Sequence, residues 1–197
     1  MKKLTLAIIA VLGMSFGALA QGGSGGSGGA GGDTKTDNHT ITITIPEVAL
    51  LDIELSGSKN ISTAFTSPTE AGLRIVAPTS GLNSLWLNYS SVVNPSGPDA
   101  SRTVSVSSSS LIPGTVLNVS AGTPVITGGG SGGSPVAITA ITTTPQTIIS
   151  GIGSVYTGDG VSSGSNITYA LTAPAATYGS LLAGATVLTL TYTLSDN

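Results

Sequence analysis

Two stretches of strict two-residue alternation constrain this chain more than anything else in it. In His39-Thr-Ile-Thr-Ile-Thr-Ile45 the isoleucines Ile41, Ile43 and Ile45 fall on one side and Thr40, Thr42 and Thr44 on the other. Near the other end, Leu188, Leu190, Tyr192 and Leu194 share one face while Thr189, Thr191 and Thr193 share the opposite one. Alternation of apolar and polar β-branched residues is the pattern of a half-buried strand. It cannot serve a helix, whose apolar stripe repeats every 3.6 residues. Shorter segments with strand character lie between: 49–55, 73–77, 84–91, 102–107, 115–120, 136–142, 146–149 and 166–172. Turn residues punctuate them, as in Asn94-Pro95-Ser96-Gly97-Pro98 and Ile112-Pro113-Gly114. About ten short strands at this spacing predict an all-β fold, an antiparallel sandwich of the immunoglobulin-like or Greek-key kind. One helical turn is expected around residues 175–183, where Ala and Leu gather.

The segments outside that pattern define the organisation. Lys2 and Lys3 precede an apolar run from Leu4 to Leu12, and Ala18-Leu19-Ala20 supplies the small residues a signal peptidase reads. Residues 1–20 are therefore expected to be a secretory signal cleaved before Gln21, which makes the product secreted and extracellular. Residues 21–32 read QGGSGGSGGAGG, a Gly/Ser composition that behaves as a random coil spanning about 18 Å. From Asp33 to Asn197 the chain has the size of one domain, with a glycine-rich loop expected at 128–134.

Composition narrows the function. Only 8% of the residues are charged and there is no cysteine, so disulfide frameworks and cysteine-based metal or redox sites are excluded. Cleavage of the signal takes Lys2 and Lys3 with it, leaving four basic residues against nine acidic ones. That balance offers no patch for nucleic acid, which is bound by clustered Lys and Arg. No later segment has the ~20 continuous apolar residues of a membrane helix.

Catalytic groups are as scarce. His39 is the single histidine, and Gly160-Val161-Ser162-Ser163-Gly164 fits G-x-S-x-G without the strand-to-helix turn that a nucleophile elbow needs. Gly128, Gly130 and Gly133 fit G-x-G-x-x-G but lead into Pro135 rather than a helix. Asp52 and Glu54 present two carboxylates on one face of a strand, the pattern of a polar outer face, of a calcium site or of a catalytic pair. Beyond Arg102 only Asp159 and Asp196 are charged. With so few groups to move protons or stabilise charge, neither a catalytic centre nor a cofactor is expected.

Binding is the more promising direction. Trp86 and Tyr89 are the candidate glycan contacts, with Trp86 and Asn88 on one face and Leu85, Leu87 and Tyr89 on the other. The alternating strand 39–45 behind the flexible tether is the candidate assembly strand, with Ile41, Ile43 and Ile45 as the residues a neighbouring subunit would bury. Pairing of that strand within its own sheet is the competing expectation.

Asn166-Ile-Thr-Tyr-Ala-Leu-Thr-Ala-Pro174, followed by Ala185-Thr-Val-Leu-Thr-Leu-Thr-Tyr-Thr-Leu-Ser-Asp196, resembles the end of the WxL bacterial surface domains. Tyr192, Leu194 and Asp196 occupy the closing W-x-L-S-D motif, with tyrosine at the tryptophan position. Ser105–Val119, with its Leu-Ile-Pro-Gly turn, is similar to the middle of that domain, and Trp86-Leu87-Asn88 stands where an earlier W-x-L belongs. The likeness covers Leu73 to Asn197. It implies a β-sandwich attached noncovalently at a bacterial surface. Together these readings lead to the expectation of a secreted cell-surface structural or adhesive protein, a fibre or matrix subunit that partners itself, or alternatively a noncovalent module for cell-wall or other glycan.

Overall fold

The computed structural model describes residues 38–79 and 82–197. The signal and the tether, 1–20 and 21–32, lie outside the described residues. The chain divides into two units, Met1–Ile43 and Thr44–Asn197, and every strand below belongs to the second.

Nine strands form two antiparallel sheets. In the first, the order is β1 (Val48–Leu55), β2 (Leu85–Val92), β8 (Ser165–Thr172) and β4 (Val116–Ala121), with the two-residue β7 (Val155–Tyr156) also paired to β2. In the second, the order is β5 (Gly132–Pro135), β6 (Gln146–Ile152), β3 (Arg102–Ser108) and β9 (Leu190–Asp196). The expected all-β sandwich is what forms. The expected helical turn is a short 3-10 segment, Ala175–Ser180.

Alternation decides which side chains fill the space between the sheets. Leu85, Leu87 and Tyr89 of β2 meet Val104 and Val106 of β3, and Ile148, Ile149 and Ile152 of β6, with Val119, Ile167 and Tyr169 completing the layer. Each fully buried Ile or Leu contributes about 1.5–3 kcal/mol relative to leaving it in water. Seven of the expected strands fall where the pattern put them. Leu190 points at this core as anticipated but is only half-buried, because β9 is an edge strand with a partner on one side alone.

Four expectations change. Residues 39–45 carry no helix, strand or bridge, and every residue from Asn38 to Glu47 is exposed. Alternation specifies a face fit for burial, not the partner that buries it. Segment 73–77 makes one bridge, Val76 with Thr66, and otherwise runs irregularly. Segment 136–142 lies along the outer edge of β4 as an irregular cover: Ile138 bridges Val119, and the Ile141 N–H donates to Leu117 O at 2.8 Å. The Gln146 side chain takes its other backbone groups, accepting from Thr142 N at 2.8 Å and donating to Ala140 O at 3.1 Å. Those bonds satisfy the backbone without a ladder.

The fourth change is in the glycine tract, where Gly132 and Gly133 belong to β5 instead of an unpaired loop. Gly133 has φ +85°, and a Cβ there would come within 2.8 Å of Ser150 O and the Ile152 side chain. Glycine permits both the left-handed backbone and that close approach. Composition read as loop is strand from Gly132 onward.

Candidate assembly surface

Sheet order leaves four edges, and they are not equivalent. The β4 edge is covered by residues 138–141, as described, and β5 is only four residues long. The two long edges without a paired neighbour among the described residues are β1 and β9. They border the same flank of the sandwich. The core is incompletely closed there: of nine half-buried apolar residues packed against it, Leu51, Ile53, Leu55, Leu190, Tyr192 and Leu194 all come from β1 and β9. A cavity of about 210 Å³ opens on this flank, lined by Leu51, Asp52, Ile53, Lys59 and Tyr192.

One end of the flank is held shut by Arg102, whose side chain is 1% exposed. Its position follows from register. Arg102, Val104 and Val106 point inward along β3, opposite Asp196, Leu194 and Tyr192 of β9. Arg102 Nε donates to Asp196 Oδ1 at 2.7 Å, and Nη2 donates to Glu47 Oε1. Nη1 donates to the Val48 carbonyl, to Ser91 Oγ at 3.1 Å and to Val92 O at 3.2 Å. One guanidinium therefore ties the start of β1, the end of β2 and the end of β9 together. Charge-assisted, multiply bonded contacts of this kind are the strong ones. Further along, the Tyr192 and Tyr169 hydroxyls share a hydrogen bond of 2.8 Å.

Placed on this frame, the sequence candidates separate. Ile41, Ile43 and Ile45 are 71%, 80% and 76% exposed. Tyr192, Leu194 and Asp196 of the WxL-like motif lie on β9, where Tyr192 and Leu194 pack on the core and Asp196 holds Arg102. Motif and flank coincide.

Trp86 is half-buried on the outer face of β2, in register with Glu54 of β1 and Asn166 of β8. Tyr89 is 3% exposed and its hydroxyl donates to Gly132 O, so it offers no ring face to a glycan and that expectation is withdrawn. Its neighbour in the alternation, Asn88, is also buried, because the loop preceding β8 folds over it and Asn88 Nδ2 donates to Gly160 O at 2.9 Å. Gly164 allows that closure, since a Cβ there would stand 2.1 Å from Leu87 O.

The remaining candidates are peripheral. Residues 160–164 form a turn leading directly into β8, with Ser162 exposed, and His39 is exposed on the other unit. Asp52 accepts from Ile53 N at 2.7 Å and from Lys59 Nζ at 3.3 Å, which lowers its pKa. Glu54 is shifted upward, first by desolvation and then by the charges of Asp159 and Asp52. No cluster of three or more metal-ligating side chains occurs among the described residues. No helix among them is long and apolar enough to cross a membrane.

No protein-family model matches this chain, no curated protein matches its sequence, and no solved structure matches its fold.

Proposed function

We propose that this protein is a secreted, non-catalytic structural or adhesive subunit of a bacterial surface layer or fibre, joined to its neighbours by donation of residues 39–45. One observation carries the reading. Three isoleucines in perfect alternation, all more than two-thirds exposed, sit in a segment with no strand partner, immediately ahead of the domain. Leaving that much aliphatic surface in water is unfavourable by about 1.5–3 kcal/mol per side chain, and a second subunit would recover it. The segment 40–45 carries neither charge nor proline, so neither of those barriers to strand pairing lies within it. The expected signal and the glycine-rich tether fit an exported chain whose donor segment must reach outward.

Sedimentation velocity and negative-stain microscopy test this at high protein concentration. The parent chain is expected to form open-ended oligomers, and deletion of residues 33–46 is expected to give a folded monomer. That deletion spares Glu47 and so keeps its ion pair with Arg102. A parent chain that stays monomeric would sink the proposal.

Trp86 supports a second reading, a noncovalent glycan module, because its ring lies half-exposed on a polar sheet face beside Glu54 and Asn166. It is the single tryptophan, so its fluorescence reports on that face alone. Quenching or a shift on adding peptidoglycan fragments, together with co-sedimentation on insoluble peptidoglycan that Trp86→Ala loses while its oligomers stay intact, would favour this reading.

A further inference from the structure

We infer that the acceptor for the donated strand is the open flank of a second copy, with residues 39–45 pairing along the free edge of β9 and their isoleucines covering Leu51, Ile53 and Tyr192. The inference rests on the strand-donation reading and adds where the strand goes. Three properties of the flank select it over other surfaces. It lies between the two long unpaired edges. It is where the core's apolar residues remain half-buried, and where an open depression of about 210 Å³ is floored by Leu51, Ile53 and Tyr192. The β9 edge is also unguarded, because Leu190–Ser195 contains no charge and no proline, the two devices that usually blunt a strand edge.

Donor and acceptor match residue by residue. The apolar part of the acceptor floor is Leu51, Ile53 and Tyr192, with the Asp52–Lys59 ion pair at its rim, and the donor supplies Ile at every second position, 41, 43 and 45, with uncharged threonines facing out. In β9 the pattern is the same, with Thr191, Thr193 and Ser195 outward. A strand laid beside it continues both the apolar layer and the threonine surface. Main-chain bonds would supply affinity and the isoleucines would set register.

The same chain cannot readily serve itself. Pro46 is the only residue between Ile45 and Glu47, and Glu47 is fixed on Arg102. A two-residue hairpin back onto β1 needs positive φ at its first turn residue. Proline holds φ near −65° and forbids it. Along β9, a fold-back from Glu47 would run parallel to that strand, whereas every strand pair in the domain is antiparallel. A second copy is free to enter in the antiparallel sense. Such a contact is head-to-tail and need not close, so it propagates.

The absence of native cysteine makes the test clean. Thr40, Thr42, Thr44, Thr191 and Thr193 are all exposed, so cysteine at any of them is expected to leave folding intact. Facing residues on paired strands lie within disulfide reach. Full-length chains carrying one donor cysteine (Thr40, Thr42 or Thr44) and one acceptor cysteine (Thr191 or Thr193) are assembled, oxidised and run on a denaturing gel. At least one combination is expected to give a covalent ladder, with the matching single-cysteine chains giving none. Ser120→Cys on β4, at the opposite flank, replaces the acceptor as control and is expected not to cross-link. Filaments that form without a β9 cross-link, or that cross-link through Ser120→Cys, overturn the acceptor assignment and leave strand donation standing. A cross-linked species that remains monomeric shows closure within one chain and overturns both. A chain that neither oligomerises nor cross-links also overturns both.

Discussion

Replacing both carboxylates that hold Arg102, as Glu47→Gln with Asp196→Asn, is expected to destabilise the domain by about 3–5 kcal/mol, more than removing Arg102 itself. The asymmetry comes from burial. Arg102 is 1% exposed, while the Glu47 and Asp196 side chains are 54% and 51% exposed. Without its acids the guanidinium keeps its charge, since arginine does not deprotonate in proteins, and that charge stays out of water. Without Arg102, by contrast, the two carboxylates already reach solvent and simply rehydrate. Arg102→Met then loses the bonds to Val48 O, Ser91 Oγ and Val92 O, a penalty of about 1–3 kcal/mol, while methionine fills much of the space. Urea unfolding of the three proteins would show midpoints falling in the order parent, Arg102→Met, double amide, with similar slopes. The reverse order would mean that water reaches the guanidinium and that the clamp is a surface ion pair. Each single amide should cost less than half of the double, because one carboxylate still compensates the charge.

That clamp was legible in part. Alternation along 102–107 puts Arg102 on the same face as Val104 and Val106, which is the core face. The same rule puts Asp196 on the face of Leu194 and Tyr192. What no local pattern contains is the pairing of β3 with β9, which joins residues 94 positions apart and makes the two charges meet. Scarcity was the available signal: beyond Arg102 the chain carries only Asp159 and Asp196 as charges, and an inward-facing charge in so neutral a sequence needs a partner.

The sandwich was legible because β3, β8 and β9 follow a two-residue period that survives whatever they pair with, whereas β6 breaks it by burying Ile148 and Ile149 side by side. β5 escaped because glycine contributes no side chain for such a period to act on, and its pairing rests on backbone fit at Gly133. Segment 136–142 failed in the opposite way. It has strand composition, yet Gln146 captures backbone groups that a ladder would have used. Tyr89 was placed correctly on the Leu85 and Leu87 face, and that placement alone argues against its contacting a glycan. Residues 39–45 are the clearest limit: the same alternation that marks a strand cannot say whether the partner belongs to its own chain or the next.

Two buried phenols, Tyr89 and Tyr169, and the half-buried Tyr192 make alkaline pH the second strong test of this fold. Burial pushes Tyr89 up to about 12. Burial also raises Tyr169 and, more strongly, Tyr192, whose hydroxyls are hydrogen-bonded to each other. In the unfolded chain each phenol titrates near 10. A raised folded value means the native state holds its proton more tightly. Stability is therefore unaffected below about pH 10 and falls as pH climbs from 10 towards 12. Two units at Tyr89 alone correspond to about 3 kcal/mol, a large share of the 5–15 kcal/mol that folds a domain. The Tyr169–Tyr192 pair adds to this in the same direction and titrates as a unit. Tyrosinate absorbance and circular dichroism followed together against pH should show one late ionisation step coincident with loss of β structure. Tyr192→Phe separates the causes. At neutral pH it leaves the Tyr169 hydroxyl without its partner, at about 1 kcal/mol. Above pH 10 it removes a titrating group, so its stability should decline less steeply than that of the parent and the two curves should converge. Parallel curves, or buried tyrosines that ionise while the sheet signal holds, would show that water enters the flank beside β9 without unfolding it.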